Sequence, residues 1–235
     1  MYYNVNEVGG NKMRTLVVLF NNFSMQEISC ATEIIAITGN KMDTCATCKE
    51  PICTEDGFHV MPDYTFDEVC LKEYDCVILP GIAYMFEELK IKVYADFLSQ
   101  LKEYPEILIA SISSSPVFLG AAGLLDGHTY CGGIYNEIIE DLPFMPKEGF
   151  VEKACHKDGN IITAIGFAYR EFAFMIADHF GLEFDKKYFG PLEKDFSGMQ
   201  LSWDMDETVL KIWKNDSIHN IKFQMFLHEL FKVHI

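Results

Sequence analysis

The chain of 235 residues has no uninterrupted run of about 18 apolar residues, which is the length that a membrane-spanning helix requires. It is also poor in basic residues, because 19 Lys and Arg stand against 35 Asp and Glu, giving a net charge of −16. Nucleic acids and anionic membrane surfaces are bound largely through Lys and Arg. We therefore expect no nucleic-acid partner and no membrane partner.

Signals for export and for nucleotide binding are also lacking. Residues 1–5 show neither a basic region nor an apolar region, so we expect no signal peptide and a cytoplasmic location. No G-x-x-x-x-G-K-[ST] or G-x-G-x-x-G motif occurs, and no complete set of metal ligands is visible, so we expect neither a cofactor nor a metal. The eight cysteines, in a chain without an export signal, are expected to be reduced thiols.

The chain does contain a regular alternation of strand and helix patterns. Continuous apolar runs, typical of strands buried on both faces of a parallel sheet, occupy residues 15–20, 76–79 and 107–110. Helical periodicity marks residues 25–38, 85–102, 117–122 and 169–180. Shorter strands are predicted at 42–48, 51–61, 150–156 and 161–165, with a hairpin turn at Asp56-Gly57. This order predicts a doubly wound α/β sandwich with a mainly parallel central sheet.

We divide the chain into three parts. Residues 1–12 are polar, include a Gly-Gly pair, and are predicted to form an N-terminal tail. Residues 13–190 carry the alternating pattern and are predicted to form one α/β domain, a size that a single core can stabilise. Residues 191–235 are predicted to be a C-terminal extension, helical and packed on the domain or on a partner.

The sharpest functional signal is the strand that runs directly into Ser113 and then into a helix. Such a turn exposes one side chain at a helix N-terminus, where backbone N–H groups favour negative charge. Another strand ends at Gly81, whose small size lets a backbone N–H approach the same point, and two such donors would form an oxyanion hole. The alternative is a turn of small residues in which the Ser113 hydroxyl only caps the helix.

Four segments resemble the ThiJ/PfpI family of the class I glutamine-amidotransferase-like superfamily. They are residues 16–20 with 22–27, 75–81, 109–116 with 121–125, and 160–164 with 166 and 171–173. The third is similar to the family's I-A-A-I-C-x-G-P motif, followed by A-G-L-L. The segments occur in the family's order over residues 13–182. The resemblance implies a flavodoxin-like fold, a homodimer, and a small-molecule ligand or substrate.

The resemblance also places the family's functional positions on residues of this chain. The acidic residue falls on Glu27, which would be protonated and would hydrogen-bond the nucleophile. The nucleophilic cysteine falls on Ser113. The oxyanion N–H groups fall on Ser114 and on Ile82, the residue after Gly81.

Three positions depart from the family's pattern. Ser113 replaces the cysteine, Ile82 replaces the second glycine of P-G-G, and Cys131 lies near the position of the family's later histidine. A serine hydroxyl, unlike a thiol, needs a positioned general base. Besides Glu27, the candidate bases are the histidines His59, His128 and His156.

Two functions stay open at this stage. In the first, a hydrolase- or hydratase-type enzyme acts on a small electrophile, with Ser113 as nucleophile or water-positioning group and Glu27 as acid or base. In the second, the loss of both cysteine and histidine has left a catalytically inactive protein that binds a small ligand or a protein partner through the same pocket. A base within hydrogen-bond reach of Ser113 would discriminate between them.

The cysteines supply two further hypotheses. Cys45 and Cys48, with Cys53 nearby, resemble a fragment of a zinc or redox site, but a second ligand pair is lacking and the pair lies beside a strand. Structural thiols are the simpler interpretation. Cys131 is either a reactive group displaced in sequence or a packed thiol.

Overall fold

A computed structural model describes residues 12–83, 85–89, 92–190, 192, 196 and 198–214. The predicted tail lies outside these residues except for Lys12, and so does the part of the predicted extension beyond residue 214. The division into tail, domain and extension therefore stays a prediction.

The architecture is built on a seven-stranded sheet. Across the sheet, the strands are β5 (Tyr64–Thr65), β2 (Lys41–Ala46), β1 (Arg14–Val18), β6 (Cys76–Leu79), β7 (Leu108–Ile112), β9 (Ile161–Ala164) and β8 (Cys155–Asp158). β8 pairs antiparallel with β9, while the other pairs of this sheet are parallel. β6, β7 and β9 are buried along their whole length, as the apolar runs at 76–79 and 107–110 predict for β6 and β7.

Helices cover both faces of this sheet. They are α1 (Met25–Ile37), α2 (Met85–Leu89), α3 (Lys92–Ser99), α4 (Pro116–Ala121), α5 (Asn136–Asp141), α6 (Tyr169–Phe180) and α7 (Glu207–Ile212). α1 packs against α6, and α3 packs against α4. The chain leaves β1 through α1 and continues to β2, toward one edge of the sheet. It leaves β6 through α3 and continues to β7, toward the other edge. Right-handed crossovers therefore place the two helix pairs on opposite faces. The predicted doubly wound α/β sandwich is confirmed.

The predicted hairpin is confirmed in a separate two-stranded sheet. β3 (Ile52–Cys53) pairs antiparallel with β4 (His59–Val60), and the chain turns through Asp56-Gly57 between them. No helix within the described ranges is both long enough and apolar enough to cross a lipid bilayer.

Some predicted element bounds are wrong. The predicted helix at 85–102 corresponds to α2 and α3, between which residues 90 and 91 lie outside the described residues, but its last three residues belong to a 3₁₀ turn over Gln100–Glu103. The predicted strand at 150–156 starts only at Cys155, because Phe150 forms a bridge with Tyr130 instead of joining the large sheet. α5 was not predicted, since a six-residue helix with two buried residues shows little periodicity.

The described part of the predicted extension packs on the domain. Trp213 is 1% exposed, and its Nε1 donates a hydrogen bond to Asp141 Oδ2 at 2.9 Å, at the end of α5. Its ring lies 5.1 Å from the ring of Phe86. An indole that buries its ring and satisfies its N–H in this way anchors the segment around α7 to the domain.

Candidate active site

The site lies where the carboxyl ends of neighbouring strands meet. Glu27 is in the first turn of α1, which follows β1, while Gly81 follows β6 and Ser113 follows β7. Gly166 lies beyond the end of β9. From the adjacent strands β1 and β6 the chain leaves in opposite directions, which opens a crevice at their carboxyl ends.

Ser113 adopts a backbone conformation that residues other than glycine rarely take. Its φ is 63°, in the left-handed region, and such strain persists where the surrounding structure enforces it. Its N–H donates to Ala164 O at 2.8 Å, and its carbonyl accepts from Gly133 N at 2.7 Å. The sharp turn is the one that a nucleophile elbow requires. The capping alternative is wrong, because the N-cap residue of α4 is Ser115.

A group of buried hydroxyls fixes this turn. Ser115 Oγ accepts from Ile112 N–H at 3.1 Å and lies 3.0 Å from Leu79 O, so it joins the ends of β7 and β6. Ser111 Oγ lies 2.8 Å from Ser115 Oγ. Sequence reasoning missed the role of Ser111 and Ser115, although the repeated serines were the available signal.

Two glycines leave room for the Glu27 carboxyl beside Ser113. A Cβ on Gly81 would overlap Glu27 Oε2 and would lie 2.6 Å from Ser113 Cβ. A Cβ on Gly166 would overlap Glu27 Oε1 and would lie 3.3 Å from Ser113 Oγ. Glu27 Oε2 is buried and has no hydrogen-bond partner within the part of the chain that the structure describes. The carboxyl therefore lies against Ser113. Any residue larger than glycine at position 81 or 166 would occupy the space that the carboxyl takes.

The environment of Glu27 raises the pKa of its carboxyl into the neutral pH range. Burial raises the pKa of Glu27 to about 7; the neighbouring Ser113 hydroxyl opposes the rise, the Glu55 charge adds to it, and the Gly81 N–H opposes it weakly. At neutral pH the carboxyl is therefore present in both forms and is able to accept a proton as well as donate one.

The two N–H groups predicted as oxyanion donors differ in whether a side chain of the protein already accepts their hydrogen bond. Ile82 N–H donates to Ser114 Oγ at 3.2 Å, and the same hydroxyl donates to Ile82 O at 3.0 Å. The Ser114 N–H has no acceptor among residues 12–83, 85–89 and 92–190. The donor after Ser113 is thus open, while the donor after Gly81 is occupied by a side chain of this protein.

Cys131 is a packed thiol. It is 1% exposed, its N–H donates to Thr163 Oγ1 at 2.9 Å, and its Sγ lies 3.3 Å from Thr163 O. Burial raises the pKa of the Cys131 thiol to about 11. Cys131 does not line the pocket at Ser113, and its glycine neighbours contact the Ser113 backbone instead. The hypothesis of a reactive thiol at position 131 is not favoured by this environment.

The other candidate residues lie away from Ser113. No hydrogen bond joins Ser113 to any of the four histidines within the described ranges, His59, His128, His156 and His179. His156 Nε2 lies 2.8 Å from Thr129 Oγ1, and His128 Nδ1 lies 3.8 Å from Asp158 Oδ2. In the Cys45-x-x-Cys48 segment, Cys45 is buried while Cys48 is exposed. Glu27 is therefore the acid–base candidate that the fold brings to Ser113.

A pocket of about 300 Å³ opens above the nucleophile position. It is lined by Ser113, Gly133, Ile134, Tyr135, Gly166, Phe167 and Trp203. Sequence reasoning did not assign the aromatic members of this lining. Trp203 lies in the predicted extension, far from Ser113 in sequence, in an irregular segment where no periodicity marks its position.

Comparisons with known proteins identify the family of the chain. The family model described as the DJ-1/PfpI family matches residues 13–179. A curated relative, DJ-1 protein homolog E of Arabidopsis thaliana, is 23% identical over 154 residues, which cover 60% of this chain and 36% of that protein. The match thus spans about a third of the relative's own length.

Two solved structures illustrate the likeness of fold. A DJ-1 superfamily protein of Agrobacterium tumefaciens has a TM-score of 0.66 at 20% identity, covering 75% of this chain and 94% of that one. Drosophila melanogaster DJ-1beta has a TM-score of 0.62 at 23% identity, covering 73% and 92%. The resemblance found in the sequence is confirmed, and the chain belongs to the DJ-1/PfpI family.

Proposed function

We propose that the protein is a hydrolase- or hydratase-type enzyme acting on a small electrophile, with Ser113 as nucleophile and Glu27 as acid–base. One observation carries the proposal: a buried carboxyl lies directly against a strained serine at the floor of a pocket. Its pKa of about 7 matches the condition for general acid–base catalysis, which is most effective when the catalytic pKa lies near the working pH.

The chemistry begins with proton transfer. The Glu27 carboxylate takes the proton of Ser113 Oγ while that oxygen bonds to the electrophilic carbon, and a π electron pair of the substrate moves onto its heteroatom. The open N–H of Ser114 follows Ser113 directly and supports the negative charge that develops there. Glu27 then returns the proton to the heteroatom, or to a leaving group whose bond to the carbon breaks. A water molecule, deprotonated by Glu27, attacks the same carbon. The bond from that carbon to Ser113 Oγ breaks, Glu27 gives the proton to Ser113 Oγ, and the product is released.

The replacement of cysteine by serine makes this mechanism dependent on Glu27. A thiol is activated by a lowered pKa alone, but a hydroxyl has no accessible anion at neutral pH and needs a base that removes its proton during attack. Among the described residues no histidine is hydrogen-bonded to Ser113, so Glu27 is the base that this part of the chain offers.

Turnover of a substrate panel tests the proposal. The panel contains a small ester, an amide, a 1,2-dicarbonyl compound and an isonitrile, and the variants are Ser113→Ala and Glu27→Gln. We expect each variant to lower kcat at least about 100-fold on any substrate that the wild type converts, the usual effect of removing a catalytic acid–base or its nucleophile. Ser99→Ala, which changes an exposed hydroxyl bonded to Asp96 O, is the matched control. Unchanged activity in Ser113→Ala would remove this residue from the mechanism.

A second candidate function is supported by the occupied oxyanion donor. Because Ile82 N–H donates to Ser114 Oγ, only one of the two expected donors is open to a substrate oxygen. We propose as the alternative that the pocket binds a small ligand without converting it. Saturable ligand binding with no turnover of the panel by the wild-type protein would favour this alternative.

The assembly and location implied by the resemblance stay predictions. We expect a homodimer, which light scattering during gel filtration measures directly. A mass close to 26.9 kDa, that of one chain, would contradict it.

A further inference from the structure

The first observation is that a segment of the predicted extension is fixed over the pocket. Trp203 O accepts the Asn136 N–H at 2.9 Å, and Asp204 Oδ1 accepts from Asn136 Nδ2 at 2.7 Å. Met205 N–H lies 3.0 Å from both carboxylate oxygens of Glu137. Three consecutive residues are therefore hydrogen-bonded to the start of α5, which holds the Trp203 ring at the pocket.

The second observation is that the same segment packs against apolar side chains of the domain. Trp203, Leu201 and Phe196 pack against a small cluster formed by Ala154, Ile165 and Ala168. The ring of Phe196 also stacks on that of Phe167, with centroids 6.2 Å apart. Trp203 is thus part of a packed wall.

The third observation is the chemistry of the lining. Among the described residues, it consists of three aromatic side chains, Tyr135, Phe167 and Trp203, one aliphatic side chain, two glycines and Ser113, and none of these carries a full charge. The two glycines, Gly133 and Gly166, lie close to Ser113. An anionic ligand would lose its hydration here without gaining a cationic partner from these residues, and it would lie near the Glu27 carboxyl, so the site disfavours it.

The fourth observation is size. The volume of about 300 Å³ is at the lower end of the range for small-molecule sites. At about 30 Å³ for each water in the liquid, it corresponds to roughly ten water molecules. One aromatic ring with a short polar group fits within such a space.

We propose that Trp203, together with Tyr135 and Phe167, makes this site selective for a small molecule that carries one aromatic ring and no negative charge. The ring lies against the aromatic wall, and a carbonyl or similar electrophilic group points to Ser113. The orientation of that group rests on the proposed function, whereas the binding of the ring depends on the wall alone. Trp203 is in this sense a specificity-determining residue supplied by the extension.

Binding is tested with three unreactive probes: benzamide, benzoate and acetamide. We expect benzamide to bind at least about tenfold more tightly than acetamide, which lacks the ring, and than benzoate, which is charged. The chain has two tryptophans, of which Trp213 is 1% exposed, so each probe is titrated by tryptophan fluorescence. We expect benzamide to change the emission of Trp213→Phe, where Trp203 is the reporter, and to leave that of Trp203→Phe almost unchanged.

Two variants separate the loss of the ring from the loss of the fold, with binding measured by calorimetry. Trp203→Ala is expected to weaken benzamide binding at least about tenfold, and Trp203→Phe, which keeps an aromatic ring, to bind within about threefold of the wild type. Equal affinity for benzamide and acetamide, or unchanged benzamide affinity in Trp203→Ala, would overturn the proposal.

Turnover distinguishes this proposal from the proposed function. If benzamide binds through Trp203 and the wild type converts no member of the panel, the proposed enzymatic function is refuted, whereas the proposed aromatic site is supported. If the wild type converts acetyl and benzoyl esters equally well, with no effect of Trp203→Ala, the enzymatic function stands and the aromatic site is refuted.

Discussion

Replacing the Glu27 carboxyl by an amide should change how the stability of the protein depends on pH. The pKa of Glu27 is raised from 4.5 to about 7 in the folded protein, so the folded state holds a proton that the unfolded state releases. This contribution to stability is fully present below pH 4.5, decreases as pH rises, and is lost above about pH 7.

The magnitude follows from the interval between the two pKa values. Each pH unit is worth about 1.4 kcal/mol, so the interval corresponds to about 3 kcal/mol in the free energy of unfolding. The residue as a whole is partly exposed, although Oε2 is buried, and solvent screening reduces the expected loss to about 2 kcal/mol.

Urea denaturation of wild type and Glu27→Gln at about pH 5 and about pH 8 measures this difference. We expect the wild type to lose about 2 kcal/mol more than the variant between the two conditions, because the amide does not titrate. Glu33→Gln, on the same helix α1, is the matched control and should follow the wild type. The same pH dependence in wild type and Glu27→Gln would refute the account of a buried, protonated carboxyl.

Three further substitutions probe the geometry around the elbow. Gly81→Ala places a Cβ 2.6 Å from Ser113 Cβ, so it should abolish turnover and cost about 1–3 kcal/mol in urea denaturation, whereas Gly198→Ala, with no atom within 4 Å, should cost less than about 1 kcal/mol. Ser113→Gly should raise the free energy of unfolding by about 1 kcal/mol and eliminate turnover, because glycine accepts a φ of 63° without strain. Ser114→Ala frees the Ile82 N–H, so it should raise kcat about tenfold while costing about 1 kcal/mol of stability. A stable and active Gly81→Ala, an unstabilised Ser113→Gly, or an unchanged kcat in Ser114→Ala would each contradict the corresponding step.

Much of the fold could be predicted because its strands are buried on both faces. A central strand such as β7 is covered by helices on each side, so it appears as a continuous apolar run. β8 has no such signal, since it is an edge strand with the mixed sequence Cys-His-Lys-Asp, and its predicted bounds were wrong. α5 is too short to show a period.

The candidate site could be predicted only where local sequence determines it. Ser113 and Gly81 end buried strands, and the parallel sheet brings those ends together. The engagement of Ile82 N–H by Ser114 Oγ depends on side-chain geometry between two loops, which no sequence pattern reports. Trp203 reaches the pocket through a hydrogen bond to Asn136, a contact between segments distant in the chain.

The central claim is that Glu27 acts as the base for Ser113, and the pH dependence of kcat/KM tests it most directly. The profile is measured from about pH 5 to about pH 9 on the best substrate of the panel. We predict that kcat/KM rises with pH and levels off with an apparent pKa of about 7, that of the Glu27 carboxyl, and that Ser113→Ala and Glu27→Gln lose this activity. A wild-type profile that is flat through neutral pH, or full activity in Glu27→Gln, would contradict the account.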